Sequence, residues 1–164
     1  TWPGKKTLFM GCEFGQWKEW DCDNQLDWSL LEFPIHVGLQ KLVADLNHLY
    51  LTHSTWSDSD HQGDKFHWID CDDATGQTLS FIKYGENPGD TLLIACNFSD
   101  QLCHRDWGCP HVGEWRVILD TDSSDYGGEG ASGASEFHSF PEPCNGHSNG
   151  LSFSVIVARA VLFN

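Results

Sequence analysis

The stretch "LFMGCEFGQW", residues 8–17, sets a single carboxylate, Glu13, between Gly11 and Gly15, directly after an apolar run. Gln16 follows, and then a dense set of acids and indoles: Trp17, Trp20, Asp21, Asp23, Asp27 and Trp28. A carboxylate so placed can hold or move a proton, and indoles offer flat apolar faces on which the C–H faces of sugar rings stack. A structural arrangement satisfies the same spacing, with the tryptophans packed on a helix and Glu13 accepting from backbone amides. Spacing alone leaves both open.

Other constellations carry weaker chemistry. "GHSNG", residues 146–150, has the G-x-S-x-G form, but that elbow needs a strand before Ser148 and a helix after it. Here prolines precede and a β-patterned run follows, so a turn is expected. Three acidic stretches, "DCDNQLD", "DSDHQGD" and "DTDSSD", resemble calcium loops. The second and third have Ile69 and Ala131 where the bidentate Glu belongs, and the first has Leu26 in place of the turn glycine. Solvated turns are the expectation. Cys103, His104, Cys109 and His111 are soft ligands, yet they lack the paired knuckles of structural zinc, so no metal is assigned. Asn97 heads an N-x-S acceptor that matters only in a secreted chain.

The elements that must position these residues fall into two textures. Residues 6–10, "KTLFM", show no polar alternation, which suits a strand covered on both faces. An acid just past the end of such a strand is where barrel enzymes place site residues. From Pro34 the apolar positions Ile35, Leu39, Leu42, Val43, Leu46, Leu49 and Tyr50 recur at helical spacing, with Pro34 fit for the first helical position. One strand, one loop and one helix cannot stand alone, since the strand needs neighbours. After His53 the chain turns polar and then strand-like: "FHWID", "TLSFIKYG", "TLLIACNFS", "EWRVILDTD" and "LSFSVIVARAVLF", with "GENPGD" as a hairpin loop. Residues from about 60 to 164 are expected to form an antiparallel β-sandwich, with "YGGEGASGASE" as a long exposed loop within it.

Composition narrows the partners. The chain has 164 residues, 40% of them hydrophobic, which is globular rather than disordered. A formal charge of −15 with only nine Lys and Arg disfavours a nucleic-acid backbone or an anionic membrane. No run approaches the ~18 apolar residues of a membrane helix, and residues 1–10 lack the apolar core of a signal peptide. The chain opens on Thr1 rather than Met, so an upstream segment is an open expectation. Seven cysteines at irregular spacing read as free thiols of a reducing compartment.

Taken together, residues 1–50 resemble the segment of 1,4-α-glucan (glycogen/starch) branching enzymes that follows their last catalytic motif. "PGKKTLFMGCEFGQW", "KEW", "LDW", "LLE" and "LVADLN" carry the likeness. "FHWIDCDD", "LSFIKYG", "CNFS", "GEWRVILDTDSSDYGG" and "HSNGLSFSV" continue it in order to the end of the chain. Departures are local: Asp21 and Cys22 stand where the family has Asn and His, "DQLCHR" replaces a P-V-P-R stretch, and Ile156 and Val157 replace a proline pair.

The resemblance implies a mainly β chain. Residues 1–53 would be the last strand, loop and helix of a (β/α)8 barrel of the α-amylase type, incomplete here, and residues 60–164 the C-terminal all-β domain. The family's catalytic Asp, Glu and Asp would lie on strands before Thr1, so no catalytic residue is assigned in this chain and it is expected to be inactive alone. The implied chemistry is retaining transglycosylation with no metal or organic cofactor, carrying an α-1,4-glucan segment to a 6-hydroxyl. Glu13, Gln16 and Trp20 would wall the active-site mouth, and Asp27 and Trp28 would brace that loop. The implied partners are an α-glucan and the rest of the barrel, in the cytoplasm or a plastid. The alternative is a glucan-binding module using Trp68, Trp107 or Trp115, or a purely structural β-domain.

Overall fold

A computed structural model describes residues 2–57, 60–87, 89–130, 134–155 and 159–163. Asp58, Ala131, Ile156 and Val157, singled out in the sequence, lie outside them. The chain is mainly β, with eight strands among these residues: β1 Phe66–Asp70, β2 Thr78–Tyr84, β3 Thr91–Asn97, β4 Cys103–Cys109, β5 Glu114–Asp120, β6 Glu136–His138, β7 Asn149–Val155 and β8 Arg159–Phe163. All pair antiparallel, in a six-stranded sheet of order β1-β2-β3-β8-β5-β6 and a two-stranded sheet β4-β7. Helix α1, Pro34–Thr52, and a short α2, Ser54–Ser57, form a third layer on the far face of the large sheet.

Side-chain parity explains the layers. On β3, Leu93 and Ala95 face the small sheet while Leu92, Ile94 and Cys96 face α1. Both faces are covered, which is why "TLLIA" shows no alternation. On β7, Leu151, Phe153 and Val155 point into the sandwich and Ser152 and Ser154 point away. The sandwich core holds Trp107, Trp115, Phe153 and Phe163, with Trp107 stacked on Phe153 at 5.3 Å. The single run "LSFSVIVARAVLF" divides into β7 and β8, which lie in different sheets.

Strand β4, "CHRDWGC", is an element that sequence patterning missed. Its inward positions include Arg105, whose guanidinium binds Asp70 at 2.6 Å and Asp73 at 3.2 Å across to the large sheet. Its planar fork also lies 4.8 Å from the Trp107 ring. A charged residue facing inward breaks the apolar alternation that marks a strand.

The expected strand at residues 6–10 does not form. Those residues have no regular secondary structure, and Leu8 and Phe9 are 52% and 50% exposed. A strand exists only when neighbours take its backbone N–H and C=O groups, and none of the described strands pairs with this run. The helix does form where expected, with Pro34 at its start. Leu42, Leu46, Leu49 and Tyr50 pack on Trp56, Phe81, Leu92, Ile94 and Leu119, whereas Ile35, Val37 and Leu51 face outward.

Three polar or steric ties fasten the helical layer to the sandwich. Gly38 lies so close to the 126–127 backbone that a Cβ there would fall 2.3 Å from the Tyr126 carbonyl oxygen. The Tyr126 hydroxyl donates to Asp45 at 2.8 Å, and Lys41 bridges Asp45 and Asp125. The third tie is a buried charge centre. Asp60 accepts from Lys6, from Lys83 of β2 and from the Tyr50 hydroxyl at 2.8–3.0 Å, with Asp60 and Lys83 side chains each only 1% exposed. Burial works against the Asp60 charge, but these three donors outweigh it and hold its carboxyl below the usual range.

Candidate functional site

Residues 9–16 form a compact turn rather than a strand end. Cys12 N–H donates to Phe9 O, Phe14 and Gln16 N–H to Gly11 O, and Gly15 N–H to Cys12 O, at 3.0–3.4 Å. Gly11 and Gly15 hold φ of +89° and +69°, the left-handed region that glycine enters without steric cost. Both are also crowded: a Cβ on Gly15 would meet Leu39 Cδ2 at 2.7 Å, and one on Gly11 would meet Gln16 Cβ at 2.8 Å. The glycines flanking Glu13 are therefore demanded by the turn.

Within it, Glu13 Oε2 accepts from the Gly11 N–H at 3.1 Å and the side chain is half-buried. The backbone-amide bond weighed for Glu13 from sequence is present. Gln16 ties two segments together, since its Oε1 accepts from the Asp27 N–H at 2.9 Å and its Nε2 donates to Lys18 O at 3.1 Å. Asp27 in turn pairs with Lys18 at 3.1 Å. Trp28 packs on Phe14 with ring centroids 5.2 Å apart, and Trp20 meets Phe9 edge-on at 5.4 Å. Gln16 and Asp27 are thus joined and Trp28 packs on the turn at Phe14, whereas Glu13 lines a separate depression with Leu8, Met10 and Val43, and Trp20 meets only the Phe9 ring among these residues. Gln16, Lys18, Glu19, Asp21, Asn24 and Asp27 line an open groove of about 420 Å³.

Sequence reasoning missed His36. Buried at the start of α1, its Nδ1–H donates to the Phe14 carbonyl at 2.7 Å, and Trp17 lies edge-on to it at 5.2 Å. This bond pins the turn to the helix. The available signal was a histidine at the third residue of an otherwise apolar helix start. Trp17 is otherwise 77% exposed.

The remaining constellations do not assemble. Ser148 lies in the turn before β7 with no helix after it. Cys103 and Cys109 face the sandwich core while His104 faces outward and bonds Ser154 at 2.9 Å. Asp21, Cys22 and Asp23 lie close together but fully exposed, and Asp21 is held below the usual carboxylate range by the Asp23 N–H and the Asn24 amide. Asn97 is buried, with its amide donating to Gln101 O and Val155 O, so it is no glycan acceptor in the folded chain. All seven cysteines are free thiols, and burial pushes Cys96 and Cys109 up to about 11. No helix among the described residues is long and apolar enough to cross a membrane.

The indoles divide sharply. Trp107 and Trp115 are wholly buried, which removes them as glucan-binding platforms. Trp68, on edge strand β1, is 39% exposed and forms a cluster with Trp2 and Phe66 at 5.0–5.5 Å.

Comparison with known proteins agrees with this architecture. The chain is 40% identical over 162 residues to the 1,4-alpha-glucan branching enzyme GlgB of Aromatoleum aromaticum, covering 98% of this chain and 25% of that protein. It is 47% identical over 129 residues to the protein of the same name from Rhodospirillum rubrum, covering 78% and 17%. With the Aquifex aeolicus protein of that name it shares 38% over 155 residues, covering 93% and 24%. The chain therefore spans about a quarter or less of these relatives. The model of the alpha amylase C-terminal all-beta domain matches residues 68–163, which takes in all of β2 to β8 and most of β1. With antiparallel sheets, buried indoles and that match in hand, the chain belongs to the family of the alpha amylase C-terminal all-beta domain.

Proposed function

We propose that this chain is the C-terminal part of a 1,4-α-glucan branching enzyme, with residues 1–53 closing its catalytic barrel and residues 60–164 forming the all-β domain beside it. What carries this reading is the 6–10 run. It has the composition of a doubly covered strand, it is matched along its length to branching enzymes, and it stands exposed with no strand neighbour. The upstream barrel strands are its natural partners. Ile35 and Val37 of α1, also exposed, would meet the same neighbour.

In such an enzyme one carboxylate attacks the anomeric carbon while another protonates the leaving oxygen, and an acceptor 6-hydroxyl resolves the glycosyl-enzyme. Those carboxylates belong to strands outside this chain. In this reading Glu13, Gln16 and Trp20 would wall the mouth of the site and Asp27 and Trp28 would brace that loop, which the hydrogen bond from the Asp27 amide to Gln16 and the Trp28–Phe14 contact support. The free thiols suit a reducing compartment such as the cytoplasm. The test is an amylose branching assay. This polypeptide alone should give no new α-1,6 linkages, and joined to an upstream barrel it should give them. Branching by the 164-residue chain alone would overturn the reading.

A second reading is favoured by the Trp2–Phe66–Trp68 cluster at the sheet edge, where Trp2 and Trp68 stay exposed and offer indole faces to a sugar ring. Retarded migration in glycogen-containing gels, lost in Trp68→Ala, would support a binding role for the β-domain. Mobility equal to that in plain gels would rule it out.

A further inference from the structure

The 6–10 run has no regular structure of its own, yet it is held at both ends. At its far end the Phe14 carbonyl is fixed by His36. At its near end, among the described residues, the polar ties from residues 2–8 to the rest of the molecule converge on one residue. Gly4 N–H donates to the Asp60 main-chain carbonyl at 2.9 Å, and Lys6 Nζ binds both oxygens of the Asp60 carboxylate at 2.9 and 3.0 Å. Lys6 also caps the Trp2 and Gly4 carbonyls, closing the segment over that carboxylate. Asp60 is itself fixed from two other layers, by Lys83 of β2 and by Tyr50 of α1.

We propose that Asp60 is a positioning residue, through which the β-sandwich and α1 set the place of the 6–10 run and hold it ready for neighbouring strands. A buried carboxylate held by two donors on fixed elements, Lys83 of β2 and Tyr50 of α1, cannot move without breaking charge-assisted bonds, so it offers Lys6 a fixed anchor. Lys6 is the adjustable member, because its side chain is 31% exposed while those of Asp60 and Lys83 are sealed. The inference rests on the branching-enzyme reading only for what the run is held against.

The experiment is backbone ¹⁵N relaxation on the intact chain and on Lys6→Met and Lys6→Arg, both of which retain Asp60 and Lys83. In the unaltered chain the amides of residues 5–10 should show order parameters near the rigid value of about 0.85. Lys6→Met should drop them below about 0.6 while β2 and β3 stay unchanged, and Lys6→Arg should restore them. A run already flexible in the unaltered chain would overturn the proposal. So would one unmoved in Lys6→Met, or one not restored by Arg. No glucan or catalysis enters this measurement, so failure of the branching assay and failure of the positioning role are separately visible.

Discussion

Lys83 is an ammonium sealed within a sheet-to-helix interface, and burial pushes its pKa down in spite of Asp60 beside it. Removing one partner of such a pair costs more than removing both, because the survivor is left charged and unsolvated. Asp60→Ala should therefore lower stability by about 3–5 kcal/mol in urea unfolding, and Asp60→Ala with Lys83→Met should recover much of that loss. The acid limb follows the same carboxylate. Its folded pKa lies below its free value of 3.8, so its stabilisation is complete above about pH 4 and disappears as pH falls through the folded value. Thermal melts of the parent chain should fall steeply below pH 4, and the double variant should show a shallower decline. Equal acid slopes in the two would place the sensitivity elsewhere. Neither partner of this pair was legible from sequence, because Lys83 sits in a strand pattern and Asp60 in a polar loop, and only the fold brings them to 3.0 Å.

Among the elements, α1 shows how a weak helix former can be the right residue. Gly38 costs the isolated helix about 1 kcal/mol relative to Ala. In place, however, a Cβ would collide with backbone rather than with a flexible side chain. Gly38→Ala should thus destabilise by about 1–3 kcal/mol in spite of the better propensity, measured by chemical denaturation. A gain in stability would mean that the 124–127 turn yields freely. The elements that periodicity located, α1 and strands β1, β2, β3 and β5, carry apolar residues at most of their inward positions, even where β2 sets Lys83 among them. β4 and β6 escaped, the first through its inward Arg105 and the second through its length of three residues. Of the candidate site, residue types named Glu13, Gln16 and Trp20 as a proposed wall, and the structure adds their local partners: the Asp27 amide, the Gly11 amide and Phe9, backbone groups and a distant ring that no spacing encodes.

Across the whole molecule two surface properties oppose each other. Leu8, Phe9 and Met10 of the irregular run and Phe33, Ile35 and Val37 at the start of α1 are exposed, while a net charge of −15 keeps copies apart. Screening decides between them, since the Debye length falls from about 10 Å at 0.1 M salt to about 3 Å at 1 M. The chain should therefore self-associate more strongly as salt rises, seen as a rising sedimentation coefficient, and Ile35→Glu with Phe9→Glu should abolish it. A monomer at every salt concentration would show that charge alone does not govern the balance.

The double-sided burial of β3 has a consequence for how the molecule comes apart. Leu93 and Ala95 belong to one core and Leu92 and Ile94 to the other, so a single strand is the common wall of both. Loosening either core strips one side of that wall and leaves the other resting on a strand with half its support. The two cores are thus bound into one cooperative unit. The piece that looks like the end of a barrel and the sandwich behind it should melt together, as a single transition, and neither should persist as a folded remnant of the other.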